Sequence, residues 1–258
     1  MSLIVALILG IMQGLTEFLP VSSSGHLVLL QNIFGISCDV ILFDIILHLG
    51  TLFAVIIVYR KSLIDLIKHP FSKKMRFLVV GTIPTLIIAL LFKDFFENAF
   101  SGSLLFVGFL ATSLLLIIAD YCSKKYKNYK TMNYSLISVM GIFQGLAIFP
   151  GLSRSGSTTT SALVLSVKKE EALEYSFLLS IPIILASLLY ELIFSPITLS
   201  SIGFGQILTG FLASLLFGIF SIKFMIKIIK NNTYSYFAIY LIILSIFLIL
   251  NQFLFHLF

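Results

Sequence analysis

Residues 10–25 read GIMQGLTEFLPVSSSG, and residues 141–156 read GIFQGLAIFPGLSRSG. Nine of these sixteen positions are identical without a gap when the chain is shifted by 131 residues, and the shared residues include Gly, Gln and Ser. Each stretch interrupts an apolar segment, and neither half of that segment is long enough to cross a bilayer alone. Non-helical backbone at membrane depth is tolerated where it is buried in protein or lines a cavity. The repeat therefore predicts two re-entrant helix-loop-helix hairpins.

The composition indicates an integral membrane protein. The chain has 258 residues, of which 59% are hydrophobic and 11% are charged. Soluble domains contain about 45–50% apolar and about 25% charged residues, so a soluble protein of this length could not bury so much apolar surface. The first segment lacks a basic region and carries Gln13 and Glu17, which argues against a signal peptide. We attribute the net charge of +6 to cytoplasmic loops and predict no nucleic-acid partner.

Six further apolar stretches have lengths that suit or approach a transmembrane helix. They are Val40–Val58, Phe77–Phe92, Ser103–Ala119, Phe177–Phe194, Ile202–Ile222 and Tyr234–Phe258. We predict an all-α polytopic membrane protein with six transmembrane helices and two re-entrant hairpins. A single integral membrane domain would cover residues 1–258, with repeat one at about residues 1–130 and repeat two at about residues 131–258.

The loop charges predict the orientation of the spans. Of the 17 Lys and Arg residues, 15 fall in residues 60–76, 124–130, 168–169 and 223–230. Cytoplasmic loops are enriched in these residue types, which places all four regions in the cytoplasm. The first hairpin then enters from the outer face and the second from the cytoplasmic face, so their tips meet near mid-membrane. Opposite orientation of two related segments is an inverted-topology repeat, an arrangement known from transporters.

The two stretches differ at the positions that carry ionisable side chains. The pairs of matched positions are Glu17/Ile148, Ser23/Arg154 and His26/Ser157. An isolated charge in hydrocarbon costs about 2.5–3.5 kcal/mol even on the more lenient scale, so Glu17 and Arg154 need partners or a wet cavity. A structural ion pair between the two tips is one interpretation. A catalytic or binding site is the other, and the surrounding hydroxyl groups favour it.

Phosphate is the ligand that these segments predict. Helices that restart at the tips would point N–H groups and partial positive charge toward an anion, and Arg154 would add a planar donor suited to phosphate oxygens. The candidate phosphate-binding residues are Ser22, Ser24, Gly25, Ser153, Ser155 and Gly156.

Glu17 would repel a phosphate unless a cation lay between them. A divalent cation, Mg²⁺ or Ca²⁺, held by Glu17 with Gln13 one helical turn earlier would resolve that conflict. His26 is a candidate proton donor, base or nucleophile toward phosphorus, although a lone histidine is more often structural.

Other polar residues carry weaker signals. Asp44 and His48 share a helix face and either line the cavity from the outer side or pair with each other. Tyr234, Tyr236 and Tyr240 lie near a cytoplasmic boundary and are predicted to be interface anchors. Cys38 and Cys122 have no metal-binding spacing and are predicted at opposite membrane faces, which argues against a disulfide.

The stretch from Gln13 to His26, QGLTEFLPVSSSGH, resembles the first signature of the bacterial undecaprenyl pyrophosphate phosphatases, also called the bacitracin-resistance phosphatases. Residues 150–156, PGLSRSG, are similar to the second signature of that family. The resemblance extends over the whole chain in length, span pattern and signature positions.

The resemblance implies a hydrolase that releases the terminal phosphate of undecaprenyl diphosphate and so recycles the lipid carrier of cell-wall synthesis. It implies a divalent cation, with Gln13 and Glu17 at the family's paired motif, where Gln instead of Glu leaves one fewer carboxylate. Glu17, Ser23, His26 and Arg154 match catalytic positions, and either Ser23 or His26 could be the nucleophile. A bacterial plasma-membrane location with the active site open to the outer face is also implied.

Alternatives from other classes are a transporter or lipid flippase, for which the inverted repeat argues, and a membrane scaffold, which would not need such costly buried charges. The expected partners are a polyprenyl diphosphate and membrane lipids. The sequence leaves the oligomeric state open, with a homodimer as one alternative.

Overall fold

The computed structural model describes residues 1–36, 40–99, 104–125, 129–194, 202–230 and 234–255. These residues form helices connected by short turns. The helices are α1 (Leu3–Phe18), α2 (Ser23–Ile33), α3 (Val40–Val58), α4 (Arg60–Lys68), α5 (Lys73–Leu91), α6 (Lys93–Ala99), α7 (Leu105–Lys125), α8 (Tyr134–Leu146), α9 (Arg154–Val164), α10 (Lys169–Phe194), α11 (Phe204–Lys230) and α12 (Ser235–Leu250). Residues Asn251–Phe255 continue α12 as a π-helical turn.

Six helices are long and apolar enough to cross a membrane, and each coincides with a predicted span. They are Ile41–Val58, Lys73–Leu91, Leu105–Lys125, Lys169–Phe194, Phe204–Ile229 and Ser235–Phe255. The all-helical architecture with six spans is therefore confirmed. Cys38 and the predicted span ends at Ser103 and Phe258 lie outside the described residues.

Several spans are longer than their apolar cores. Helix α5 begins four residues before Phe77, where the Ser72 hydroxyl accepts a hydrogen bond from the Met75 N–H at 3.2 Å. Helix α10 begins eight residues before Phe177, with Glu170 and Glu171 in its first turn. Acidic groups stabilise a helix start. The helix therefore extends beyond the apolar stretch into the polar residues that precede it.

The two interrupted segments each form a helix, a short turn and a second helix. The turn between α1 and α2 is capped by Ser22, whose hydroxyl accepts from the Gly25 N–H at 3.4 Å. The turn between α8 and α9 is capped by Ser153, which accepts from the Gly156 N–H at 3.1 Å. The matched serines of the sequence repeat therefore occupy the same capping position at both tips.

Matched glycines in α1 and α8 allow close helix packing. A Cβ on Gly10 would lie 2.6 Å from the Gly210 carbonyl oxygen of α11. A Cβ on Gly141 would overlap the carbonyl oxygen of Gly81 on α5. Small residues at such positions let membrane helices approach to van der Waals distance. The first hairpin is thus packed against α11 and the second against α5.

Helix α7 supports both tips and the last span. The Thr112 hydroxyl accepts from the Ser153 N–H at 2.8 Å, which ties the second tip to α7. Further along α7, the buried Asp120 carboxylate accepts from the Tyr234 N–H at 3.1 Å, from the Ser235 N–H at 2.8 Å and from the Ser235 hydroxyl. Asp120 therefore caps α12 from a neighbouring helix and fixes the position of α12 beside the tips.

The prediction that three tyrosines anchor the interface is wrong for Tyr234, which is buried and sits at this cap. Tyr236 is exposed, as an anchor would be. Tyr240 is half exposed, but its hydroxyl points into the protein, where it bonds to a histidine described below.

Candidate active site

Glu17 is the centre of the cluster at the two tips. Its buried carboxylate accepts from the Gln13 amide nitrogen, with Nε2 3.0 Å from Oε2. The Ser23 hydroxyl donates to the same oxygen at 2.5 Å, and Arg154 Nη2 donates to the other oxygen, Oε1. Both carboxylate oxygens thus have donors, which offsets the cost of burying a charge in apolar surroundings.

Arg154 is positioned by the second tip as the first residue of α9. Its Nη2 pairs with Glu17, while its Nη1 is buried and has no hydrogen-bond partner among the described residues. A buried unpaired donor on a cation is costly and is a ready position for an anionic oxygen. The predicted meeting of an acid from one tip with an arginine from the other is present in the structure.

Backbone contacts also join the two tips. The Ser155 hydroxyl donates to the Leu19 carbonyl oxygen at 2.9 Å. A Cβ on Gly25 would lie 3.1 Å from the Cα of Gly151, and one on Gly156 would lie 3.3 Å from the Cβ of Pro20. The two tips are in direct contact, and Gly25 leaves room for that approach.

The hydroxyl groups predicted to bind phosphate lie around these tips. Ser22 and Ser24 have their Oγ atoms 3.3 Å apart, and Ser153 and Ser155 have theirs 3.3 Å apart. The hydroxyl groups of Ser22 and Ser153 are engaged as helix caps. A ligand at the tips would therefore bind chiefly to the free backbone N–H groups in the first turns of α2 and α9.

His26 does not contact Ser23 or Glu17 by any hydrogen bond in the described part of the chain. Its Nδ1 lies 2.7 Å from the Ser22 carbonyl oxygen and its Nε2 lies 2.6 Å from the Tyr240 hydroxyl. The ring of Phe109 packs edge-on against the imidazole, and Tyr240 stacks over it. Both ring nitrogens are therefore occupied by groups of the protein itself.

His48 lies close to the cluster from α3. Its Nε2 is 3.9 Å from Glu17 Oε2, and its Nδ1 donates to the Asp44 carbonyl oxygen at 2.8 Å. The Asp44 carboxylate instead accepts from the Gln31 amide nitrogen at 2.9 Å. His48 therefore bonds to Asp44 through the backbone carbonyl and also lies beside Glu17, so the two alternatives for this pair are not exclusive.

The oxygen atoms at the cluster fit a hard divalent cation. Magnesium commonly takes one or two carboxylates and completes its shell with water and substrate phosphate. Glu17 supplies the carboxylate, and the amide oxygen of Gln13 is buried without a partner. Among the described residues no group of three His, Cys, Asp or Glu side chains could hold a metal ion, so such a cation would depend on substrate oxygens.

Comparison with known proteins places this geometry in a family. The family described as bacitracin resistance protein BacA matches residues 6–247. The chain belongs to this family. It is 43% identical over 251 residues to a protein of Carboxydothermus hydrogenoformans named undecaprenyl-diphosphatase, a match that covers 96% of each chain. A protein of Halothermothrix orenii with the same name is 42% identical over 257 residues, covering 97% of this chain and 98% of the relative.

The sequence predicts most of the cluster and offers His48 as a cavity-lining alternative, but it gives no sign of Tyr240. Glu17, Ser23, Arg154 and Gln13 were expected at one site because the repeat places both tips together, and they are in contact. Tyr240 lies 214 residues from His26 in the chain, and nothing in the spacing of α12 distinguishes it from an interface tyrosine. His48 carried a signal, since a histidine within an apolar span needs a polar neighbour.

Proposed function

We propose that this protein is a membrane phosphatase that hydrolyses undecaprenyl diphosphate to undecaprenyl phosphate and inorganic phosphate. This reaction would recycle the lipid carrier of cell-wall synthesis. The relatives named undecaprenyl-diphosphatase support the substrate. The observation that carries the chemistry is Ser23, whose hydroxyl donates to Glu17 beside an arginine with a free buried nitrogen.

Ser23 is the proposed nucleophile. A serine hydroxyl becomes reactive when an adjacent base takes its proton, and Glu17 Oε2 is 2.5 Å away. Ser23 Oγ forms a bond to the terminal phosphorus as the bridging P–O bond breaks, and undecaprenyl phosphate leaves. Water then attacks the phosphoserine, inorganic phosphate departs, and the serine hydroxyl is restored. His26 is the weaker candidate for attack because both of its ring nitrogens are engaged.

Arg154 is proposed to hold the diphosphate. Phosphoryl transfer depends mostly on positioning and on neutralising the charge of the phosphate oxygens. Arg154 Nη1 supplies one unpaired donor, and the N–H groups at the starts of α2 and α9 supply others. The groups proposed to surround the phosphate come from both tips and are Ser22, Ser24, Gly25, Ser153, Ser155 and Gly156.

A divalent cation is proposed at Glu17 and Gln13. When bound it would neutralise phosphate charge as a Lewis acid. The Glu17 carboxylate and the buried amide oxygen of Gln13 would hold it, and Arg154 Nη1 would remain available to the substrate.

The setting of the site is also part of the proposal. We infer two re-entrant hairpins, arranged as an inverted-topology repeat, that meet at mid-membrane in one domain. The site would open to the outer face of the bacterial plasma membrane. Apolar side chains along the spans are exposed, which suits contact with lipid tails and with a polyprenyl chain.

Phosphate release from a polyprenyl diphosphate by detergent-purified protein tests this function. We expect release that requires a divalent cation and is lost in Glu17→Ala, Ser23→Ala and Arg154→Ala. Lipid binding without any release by the folded wild-type protein would contradict the phosphatase and favour a lipid carrier instead.

A further inference from the structure

The conformation of Ser22 distinguishes the two hairpin tips. Ser22 has φ 68° and ψ 98°, whereas its repeat partner Ser153 has φ −69° and ψ 119°. A positive φ is uncommon for a residue other than glycine and carries a strain of about 1–3 kcal/mol. Such a conformation persists where neighbouring groups hold it in place.

His26 is the group that holds Ser22. Its Nδ1 lies 2.7 Å from the Ser22 carbonyl oxygen, which already accepts from the His26 backbone N–H at 3.3 Å. The position matched to His26 in the second hairpin is Ser157, whose hydroxyl has no hydrogen-bond partner in the part of the chain that the structure describes. The left-handed conformation is therefore present at the tip that has the histidine and absent at the tip that lacks it.

The Ser22 carbonyl determines which imidazole nitrogen carries hydrogen. A carbonyl oxygen can only accept, so Nδ1 must be protonated. No carboxylate contacts His26 in the described residues, and two aromatic rings enclose it. A neutral imidazole in this setting has a bare Nε2, which accepts a hydrogen bond from the Tyr240 hydroxyl at 2.6 Å.

The opposite tautomer would not support the tip. With hydrogen on Nε2, the Nδ1 lone pair would face the Ser22 carbonyl oxygen at 2.7 Å, and the two would repel each other. A tyrosine hydroxyl can donate or accept, so the Ser22 carbonyl sets the tautomer, and the Tyr240 hydroxyl then donates to the bare Nε2 and holds the imidazole ring in place. Ser22 directly precedes Ser23, and its conformation sets the direction of the Ser23 hydroxyl toward Glu17.

We propose that Tyr240 is a positioning residue of the active site: its hydroxyl holds the His26 ring so that Nδ1–H keeps Ser22 left-handed and Ser23 aimed at Glu17. The catalytic part of this inference rests on the proposed function, while the positioning of the His26 ring does not. Asp120 supports the arrangement, since it fixes the start of α12 and lies on α7, the helix that also supplies Phe109.

Tyr240→Phe is the decisive variant because it removes the hydroxyl and keeps the ring that stacks on His26. Tyr236→Phe is the matched control, since Tyr236 is on the same helix, is 73% exposed and lies outside the site. For Tyr240→Phe we expect kcat to fall roughly three- to tenfold, the effect of losing one neutral hydrogen bond, with KM changed less than twofold. Tyr236→Phe should match the wild-type protein.

The tautomer is measured independently of activity. In protein labelled with ¹⁵N-histidine, two-bond ¹H–¹⁵N spectra distinguish protonated from bare ring nitrogens, and His26→Gln assigns the signal among four histidines. We expect a bare Nε2 in all three proteins, with its ¹⁵N resonance shifted downfield in Tyr240→Phe alone, because that variant loses the hydroxyl that donates to this nitrogen. An unchanged nitrogen spectrum in Tyr240→Phe, or kcat within twofold of wild type, would overturn the role of Tyr240. Absence of phosphate release by the wild-type protein would instead refute the proposed function, and the spectrum would still test the bond from Tyr240 to His26.

Discussion

Ser23 and Glu17 form the shortest link between the nucleophile candidate and a base, with Oγ 2.5 Å from Oε2. Their positions in the chain differ by six, and the chain turns between them after the end of α1. Glu17 also receives Arg154 from the second tip. One carboxylate thus joins an attacking group on one hairpin to a phosphate-binding group on the other, which explains why both tips must be present for a complete site.

Replacing Ser23 with Ala should remove the attacking oxygen and lower kcat at least about a thousandfold, since removal of a catalytic nucleophile typically has effects of this size or larger. Phosphate release from a polyprenyl diphosphate measures this loss. Ser138→Ala is a matched control, because Ser138 bonds only to the Tyr134 carbonyl oxygen on α8. A Ser23→Ala protein with more than a tenth of wild-type kcat would exclude Ser23 as the nucleophile.

Arg154→Ala should lower kcat/KM by about 10²–10³-fold, because it removes a phosphate donor and leaves Glu17 buried without its charge partner. Arg154→Lys should retain an intermediate activity, since lysine keeps the charge but lacks the planar pair of donors. Steady-state kinetics with thermal unfolding in detergent would separate lost activity from lost folding. Arg76→Ala, at the start of α5, is the control. A loss in Arg154→Ala smaller than tenfold would contradict the assignment.

The sequence predicted the spans and the joining of the tips because both follow from strong constraints. Hydrocarbon requires long apolar helices, and a repeat of Gly, Gln and Ser at fixed spacing predicts equivalent turns. Gly10 and Gly141 match in the repeat and both allow close helix packing. The contact of Glu17 with Arg154 followed from the orientation of the loops.

Contacts between distant helices could not be predicted in the same way. The bond from Tyr240 to His26 depends on the rotation of α12, which Asp120 fixes through backbone N–H groups. Sequence spacing does not encode that rotation. The contacts of His26 could not be predicted for the same reason, since its two partners are a backbone carbonyl and a distant tyrosine.

Removal of divalent cations with EDTA should abolish phosphate release, and Mg²⁺ or Ca²⁺ should restore it. Gln13→Glu adds a second carboxylate beside Glu17 and should lower the half-saturating cation concentration several-fold, because ligand charge raises affinity for hard cations. Titration of activity against free cation measures this shift. Gln206→Glu is the control, since Gln206 bonds to the Met1 carbonyl oxygen far from the tips along the chain. Full activity in EDTA would contradict the proposed cation.

Labelling of single cysteines should test whether the hairpins are re-entrant from opposite faces. In a background with Cys38 and Cys122 replaced by Ser, cysteines are introduced at exposed residues that flank each hairpin. Ser2→Cys and Asn32→Cys flank the first, and Thr131→Cys and Lys168→Cys flank the second.

A membrane-impermeant maleimide added to intact cells should label the Ser2 and Asn32 variants. The Thr131 and Lys168 variants should react only after permeabilisation, because the excess of Lys and Arg places their loops in the cytoplasm. Asp94→Cys should label from outside and Lys61→Cys from inside, which calibrates the assay at two exposed residues beyond the hairpins. If the two ends of one hairpin labelled from opposite sides, that hairpin would cross the membrane. The two hairpins would then not enter the membrane from opposite faces, as an inverted repeat requires. The contact between Arg154 and Glu17 would need another explanation.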